Sequence, residues 1–402
     1  MTTPEFALSF LLSGEGVHWL AVAAGLPLDE RHRLASLSAL RRDLPAPLAG
    51  AVLEQATLRV RGATKFAQAG QMLFTAEGLQ QASGESVAAH SAARFAGRRA
   101  ADLTCGIGGD ALALAHTAAQ LAAFDHDLHR LRLARHNLGV YDRAALFVCA
   151  DLLALPTPAG EFDAAFCDPG RRGAEGRRIF RPEDYEPPLS AVLAAFATTD
   201  LAVKAAPGID YAQLLAGGQI GEVEIVSLGG DVKEAVLWTR GLATPGVRRR
   251  ATLLPAARTL TNAGAPDACP VTPPQAYLYE PDGAVVRAGL VRHLAHTLGL
   301  SQIDPHIAYL TGPSSLDTPF ARGFLVEEVH PFNLKALNRR LAALAVGTVE
   351  LKKRGIALEP EALRPRLKLR GPERRTVIFT RRGTQPLMMI CRDVVRSMVA
   401  CT

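Results

Sequence analysis

No two cysteines in this 402-residue chain stand in a CxxC arrangement. The six present, Cys105, Cys149, Cys167, Cys269, Cys391 and Cys401, form no even framework, so neither a zinc site nor a disulfide scaffold is expected, and free thiols are. No stretch approaches the roughly 18 apolar residues of a membrane helix, which argues against a membrane partner. No basic run precedes Phe6-Ala-Leu-Ser-Phe-Leu-Leu12, so no signal peptide is expected and a cytoplasmic location is. His116, His126, His129 and His136 stand singly, and no metal is expected. Acids are scarce toward the end. Residues 331–402 hold 16 Lys/Arg against 5 Asp/Glu, a local balance of about +11 inside a net charge of +6. The rest is therefore near −5, and a basic C-terminal segment on a mildly acidic body suggests a docking site for a polyanion.

What is present starts with Ala101-Asp-Leu-Thr-Cys-Gly-Ile-Gly-Gly-Asp110, followed by the apolar run Ala111–Ala115. It reads as a strand end, a glycine turn and a helix start. Such a turn lets a ligand approach the backbone, and the helix N-terminus offers free N–H groups. Leu121-Ala-Ala-Phe124 then reads as a second strand ending in Asp125, an acid about 20 residues beyond the glycines and placed to bind ribose hydroxyls. The dinucleotide fingerprint is nevertheless missing: no third glycine follows three positions on, which makes a dehydrogenase a poor reading. Asp102 inside the loop would repel a pyrophosphate. It suits a ligand that carries an ammonium group as well as a ribose, as S-adenosylmethionine does.

The organisation fits that site. Residues 1–95 read as a helical region, with apolar spacing in Leu20–Ala24, Arg33–Leu40, Leu48–Val60 and Glu85–Phe95. Residues 96–242 alternate short apolar strands with helices, as an open parallel sheet does. Gly229-Gly230 joins the last two strands as a hairpin. A Pro- and Ala-rich stretch, Thr244–Pro274, reads as irregular connection within a mixed α/β region, 243–330. Residues 331–402 form a basic domain with an amphipathic helix over Phe332–Ala345 and strands at Val349–Lys352, Thr376–Thr380 and Pro386–Cys391.

Asp102–Asp110, then Phe124-Asp-His-Asp127 leading into Leu131–Asn137, resemble the class I S-adenosylmethionine-dependent methyltransferases, and within them the trimethylguanosine-synthase-like RNA methyltransferases. The whole chain resembles a bacterial group with a C-terminal THUMP-like domain, through Lys65-Phe66, Thr75–Leu79, Val203–Asp210, Tyr277–Asp282 and Leu351–Gly355. The resemblance implies a Rossmann-like α/β fold, a mostly parallel seven-stranded sheet with a terminal antiparallel hairpin. It implies S-adenosyl-L-methionine as cofactor, held by Asp102, Thr104, Cys105, Gly106, Gly108, Asp125, His126, Asp151 and Leu152. Asp151 would accept from the adenine amino group with Leu152 behind the ring, and an N-cap is the other reading of Asp151.

Cys167-Asp168-Pro169-Gly170-Arg171-Arg172 closes the fourth strand, where open α/β sheets place their chemistry. Enzymes that methylate exocyclic amines carry an acid or amide, two prolines and an aromatic there. This chain keeps Asp168 and Pro169 as the catalytic pair but has Gly170 and Arg171 where the second proline and the aromatic would stand. Arg171 and Arg172, with Arg177, Arg178 and Arg181 beyond, read as a phosphate-binding rim. An arginine plane can also stack on a base. Lys204 is read either as a substrate contact or as the partner of an acid, and Lys352, Lys353 and Arg354 as phosphate contacts. Cys167 is not read as a nucleophile, because a strand side chain alternates away from its neighbour Asp168. The expected activity is methyl transfer to RNA, tRNA or rRNA, at an exocyclic amine. The alternatives are a small-molecule or protein methyltransferase, and a silent RNA-binding protein that kept the cofactor fold.

Overall fold

The computed structural model describes residues 4–155, 159–170, 181–239 and 241–394. Two compact units divide the chain: Met1–Ile220 with Val236–Ala243, and Gly221–Ala235 with Thr244–Thr402. Among the described residues no single helix is long and apolar enough to cross a membrane.

In the first unit the strands are β1 (Arg99–Asp102), β2 (Gln120–Asp125), β3 (Leu146–Cys149), β4 (Ala164–Cys167) and β5 (Asp200–Ala205). Their sequences are short apolar runs because helices cover both faces, so alternation is lost, as is usual in parallel sheets. β1 to β5 pair in parallel in the order β3-β2-β1-β4-β5, and the C-terminal part of a later strand, β7 (Asp231–Thr239), follows β5. Reversal of the strand order at β1 puts the β1 and β4 loops together at one carboxyl edge, where ligands of such sheets bind.

The N-terminal helices are built into this unit. Leu20, Leu53, Phe66 and Phe74 share one core with Ile107, Leu131 and Leu138. Asn137, fully buried on helix Leu128–Val140, receives the Leu73 amide at 2.8 Å and donates to the carbonyls of Leu73 and Ile107, both at 2.9 Å. Lys65 donates to the carbonyls of Leu79 (2.8 Å) and Ala82 (2.7 Å), satisfying the open end of helix Ala76–Gln81. Thr75 caps the other end by accepting the Gly78 amide.

In the second unit, β6 (Ile220–Leu228) turns through Gly229 and Gly230, at φ of 62° and 91°, into the start of β7. The expected hairpin is thus present, but it does not end the strand array. β6 pairs in parallel with β8 (Arg249–Leu254), which pairs antiparallel with β9 (Arg258–Thr261). Both new strands lie in the stretch read from sequence as irregular connection. The charged start of β8 concealed it: Arg250 is paired with the buried Glu222 of β6 at 2.6 Å, and Thr252 donates to the buried Glu224 at 2.5 Å. The strand is amphiphilic because its neighbour is.

A seven-stranded sheet follows, ordered β11-β12-β10-β13-β16-β15-β14, from β10 (Tyr277–Pro281), β11 (Ser301–Asp304), β12 (Ile307–Gly312), β13 (Ala321–Pro331), β14 (Val346–Lys353), β15 (Glu373–Arg382) and β16 (Gln385–Asp393). β13 runs across the boundary expected at 330/331. Helix Leu334–Ala343 lays Leu337 and Leu341 onto Val346, Val377, Phe379, Met388 and Ile390.

Candidate active site

The loop after β1 is shaped by its glycines and by Asp125. Gly106 has φ of 54°, a region that costs any other residue energy, and a Cβ there would meet only the Thr104 carbonyl, at 4.0 Å. Its amide donates to Asp125 Oδ2 at 2.9 Å, while Asp125 Oδ1 accepts the Asp127 amide at the same distance. The acid at the end of β2 therefore pins the glycine loop to its own turn. Gly108, at φ of 91°, serves packing: a Cβ there would lie 3.0 Å from Leu138 and 3.3 Å from Ala134. It caps helix Gly109–Thr117 rather than lining a cavity.

A cavity of about 740 Å³ opens over this edge. Of the residues expected to hold a cofactor, Thr104, Cys105, Gly106, Asp125, His126, Asp151 and Leu152 line it, and Asp168 lines its far side. Asp151 also caps the turn Leu152–Ala154 by accepting the Leu153 amide at 2.9 Å, so both of its readings stand together geometrically. Asp102 lies just beneath, 1% exposed. Its Oδ1 accepts the Thr104 amide at 3.2 Å, and its Oδ2 has no hydrogen-bond partner. Burial, reinforced by Asp110, pushes this carboxyl well above the usual carboxylate range, against the opposing pull of the Thr104 amide and Lys204.

Lys204 is 2% exposed and sits behind the wall. Its Nζ is 2.7 Å from Asp168 Oδ2 and 3.1 Å from Asp110 Oδ2, and it donates to Ser83. Of its two sequence readings, the acid's partner is the one this geometry matches. Asp168 is further fixed by its own amide, which donates to the Thr104 hydroxyl at 2.7 Å. Pro169 is buried, and Gly170 hydrogen-bonds back to Glu186. Cys167 is fully buried, and burial pushes its thiol far above the usual range, as an inert core cysteine requires. Arg171, Arg172, Arg177 and Arg178 lie outside the described residues. Among the described residues no cluster of His, Cys, Asp and Glu is arranged to hold a metal.

Sequence reasoning missed half of the wall. Glu77, Gly78, Gln81 and Ala82 reach it from helix Ala76–Gln81 and the turn after it, Arg130 from the helix after β2, and Glu186, Pro187 and Pro188 from beyond β4. One signal was available: a Cβ on Gly78 would lie 2.6 Å from Ile107, so Gly78 in the Thr75–Leu79 motif marks where that helix meets the glycine loop.

The triplet in the second unit is placed differently from expectation. Lys352 pairs with Glu280 at 2.7 Å, Lys353 with Glu359 at 2.5 Å, and Arg354 stands 4.0 Å from Glu280 with its guanidinium over Tyr309. These cations are neutralised within the protein.

A parallel sheet reversed at β1, a glycine loop pinned by the acid of β2, and a cavity walled by acids with a half-partnered carboxyl beneath it form the cradle of a class I S-adenosylmethionine-dependent methyltransferase. The cofactor's charge fits: it brings an ammonium and a sulfonium to a pocket lined by Asp110, Asp125 and Asp168, with Asp102 beneath it and the buried Lys204 behind its wall. The chain belongs to that family. It is 41% identical over 351 residues to an uncharacterized S-adenosylmethionine-dependent methyltransferase of Mycobacterium tuberculosis, across 86% of this chain and 96% of that protein. Residues 100–170 match the family model of a methyltransferase domain, 321–393 that of a THUMP domain-like module, and 6–62 a domain of unknown function. A crystal structure from Porphyromonas gingivalis, described as that of a candidate methyltransferase, shares the fold: TM-score 0.73 at 22% identity, over 91% of this chain and 99% of that one.

Asp102 yields a prediction of opposite sign for stability and for binding. A carboxyl whose pKa is raised by folding keeps its proton to higher pH in the native state than in the unfolded chain. Folding is therefore penalised increasingly as pH rises above the unfolded value near 3.8. Asp102→Asn should raise the melting temperature of the ligand-free protein, by roughly 2–4 °C for each kcal/mol relieved, more at pH 8 than at pH 5. The same variant should bind S-adenosylmethionine more weakly. Thermal melts at the two pH values, with calorimetric titration of the cofactor, check both; a variant less stable at pH 8 would contradict this account of Asp102.

Proposed function

We propose that this methyltransferase acts on RNA, at an exocyclic amine of a tRNA or rRNA base. The observation that carries the RNA assignment is the charge separation: about +11 in residues 331–402, a stretch that overlaps the THUMP domain-like match over 321–393, on a remainder near −5. A phosphodiester partner is the one such a distribution selects and steers.

In this reading Asp102 receives the cofactor's ammonium group and Asp125 its ribose hydroxyls. Asp151 accepts from the adenine amine, Leu152 backs the ring, and Gly106 lets the chain lie against the backbone with Thr104, Cys105 and His126 completing the cradle. When bound, S-adenosylmethionine supplies a methyl group activated by its positive sulfur. Asp168, 19% exposed on the cavity wall, accepts an N–H of the target amine, with the Pro169 carbonyl as second acceptor. Two acceptors turn the nitrogen lone pair toward the methyl, and alignment is the main requirement of in-line displacement. Lys204 fixes Asp168 in direction. The proton shed by the methylated amine leaves along the Asp168 hydrogen bond toward solvent. Arg171 and Arg172 are assigned to the substrate side, on the phosphate or the face of the base.

The test is to incubate the enzyme with methyl-labelled S-adenosylmethionine and separate RNA, protein and metabolite fractions of one cell. Label is expected in RNA. Binding to bulk tRNA should also weaken steeply with salt, with a log–log slope of about 0.7–0.9 per phosphate neutralised. Label confined to metabolites or protein, or binding indifferent to salt, would reject RNA as the substrate.

A further inference from the structure

The C-terminal charge excess can be located residue by residue. Of the described cations in residues 331–394, most are answered by an acid: Arg340 by Glu328, Lys352 by Glu280, Lys353 by Glu359 and Arg364 by Glu361. Arg374, Arg375, Arg381 and Arg392 likewise have Glu350, Glu327, Asp304 and Glu327 within 4.0 Å. Among the described residues, those without an acidic partner are Lys335, Arg339, Arg366, Lys368, Arg370 and Arg382, and all six are exposed.

Five of the six are gathered by one junction. The Asn338 side chain, on helix Leu334–Ala343, donates to the Arg366 carbonyl at 3.1 Å and accepts the Lys368 amide at 2.8 Å. This clamps the segment 366–370 to the helix. Lys335 and Arg339 flank Asn338 on the helix surface, three residues before it and one after. Along the segment, burial alternates. Leu367 and Leu369 pack against the core of Val346, Val377 and Phe379, while Arg366, which ends a short helical turn, and Lys368 and Arg370 beyond it stand out, the last two about 6.6 Å apart along an extended chain. Two leucines and one asparagine thus hold a row of unanswered cations in place beside two more.

We infer that Lys335, Arg339, Arg366, Lys368 and Arg370 form the surface on which the phosphodiester chain of RNA docks, and that the Lys352-Lys353-Arg354 triplet does not take part. The inference rests on the RNA reading above and sharpens it. An unpaired cation releases phosphate counterions at no internal cost, whereas Lys352 would first have to leave Glu280. Acidic protein is the weaker fit, because among the described residues of 332–394 no large apolar side chain is exposed to anchor a protein interface.

Two triple variants of the full chain, equal in net charge, test it. One is Arg339→Ala, Arg366→Ala, Lys368→Ala. The other is Lys353→Ala, Arg364→Ala, Arg374→Ala, which removes exposed cations that already have acids beside them. With bulk tRNA as probe in an anisotropy titration, the first should bind on the order of 10–100-fold more weakly near 0.1 M salt, with a slope flattened by roughly two units. The second should bind within about threefold of the parent. Acetylation of the unaltered protein provides a readout independent of folding: bound tRNA should protect Lys335 and Lys368, and leave Lys353 as reactive as before. Equal weakening in both variants, or protection of Lys353 instead, would overturn the assignment of this surface while leaving RNA as substrate. A parent protein that ignores tRNA would overturn the RNA reading itself, and with it this surface. Tighter binding to phosphatidylserine vesicles than to tRNA would reassign the surface to a membrane.

Discussion

Asp168→Asn should lower the rate of methyl incorporation into RNA by a factor on the order of 10² or more, with the affinity for S-adenosylmethionine changed less than about threefold. Asparagine keeps the shape and one acceptor but loses the charge that draws an amine N–H and answers Lys204. Alanine is the less informative change. It leaves Lys204, 2% exposed, with one carboxylate fewer, and stripping a partner from a buried ion pair typically costs about 3–5 kcal/mol of stability. The Asn variant should stay folded by thermal melt and bind cofactor by calorimetry while failing in turnover. Full turnover in that variant would remove Asp168 from the chemistry.

The second large effect is expected at Asp125. Each charge-assisted hydrogen bond from a ribose hydroxyl to its carboxylate is worth about 1.5–3 kcal/mol, so Asp125→Ala should weaken S-adenosylmethionine binding by roughly 10²–10⁴-fold. The geometry adds a distinction. Asp125 also accepts the amides of Gly106 and Asp127, so alanine loosens the loop as well as removing the contact. Asp125→Asn keeps one acceptor for those amides and should fall between parent and alanine. Calorimetric titration of the three proteins orders them. If Asp125→Asn bound as weakly as Asp125→Ala, the charge rather than the loop would carry the whole effect, and if alanine bound like the parent, the ribose assignment would fail.

How far the chain could be read in advance depended on whether a residue's role was local. The glycine loop, the acids ending β1 and β2 and the Asp-Pro after β4 declare themselves by position, because strand ends of an open sheet are where ligands sit. Lys204 was narrowed to two roles, and only distance separates them: its partners are Asp168, Asp110 and Ser83, up to 121 residues away in sequence. Gly108 was read as cofactor contact because it sits among the loop glycines, yet it is glycine so that Leu138 and Ala134 can approach. The Lys352–Arg354 triplet looked available because three adjacent cations are conspicuous, whereas Glu280, which answers two of them, is on β10, four places from β14 in the strand order and 72 residues from Lys352 in sequence. β8 was missed because Arg250 and Thr252 answer buried acids on β6 rather than water, and β9, four residues long and half exposed, carries no apolar run to signal it.

Asn137 and Lys65 have a consequence for where this chain can be cut. The one ties the Leu73 backbone to the glycine loop at Ile107, and the other closes the helix whose Glu77 and Gln81 face the cofactor cavity. The segment from Lys65 to Ala82 is thus masonry of the cavity, set in place by the sheet's own helix and glycine loop. A fragment starting at residue 96 would carry the sheet with one wall missing, since Glu77, Gly78, Gln81 and Ala82 would go with the helices.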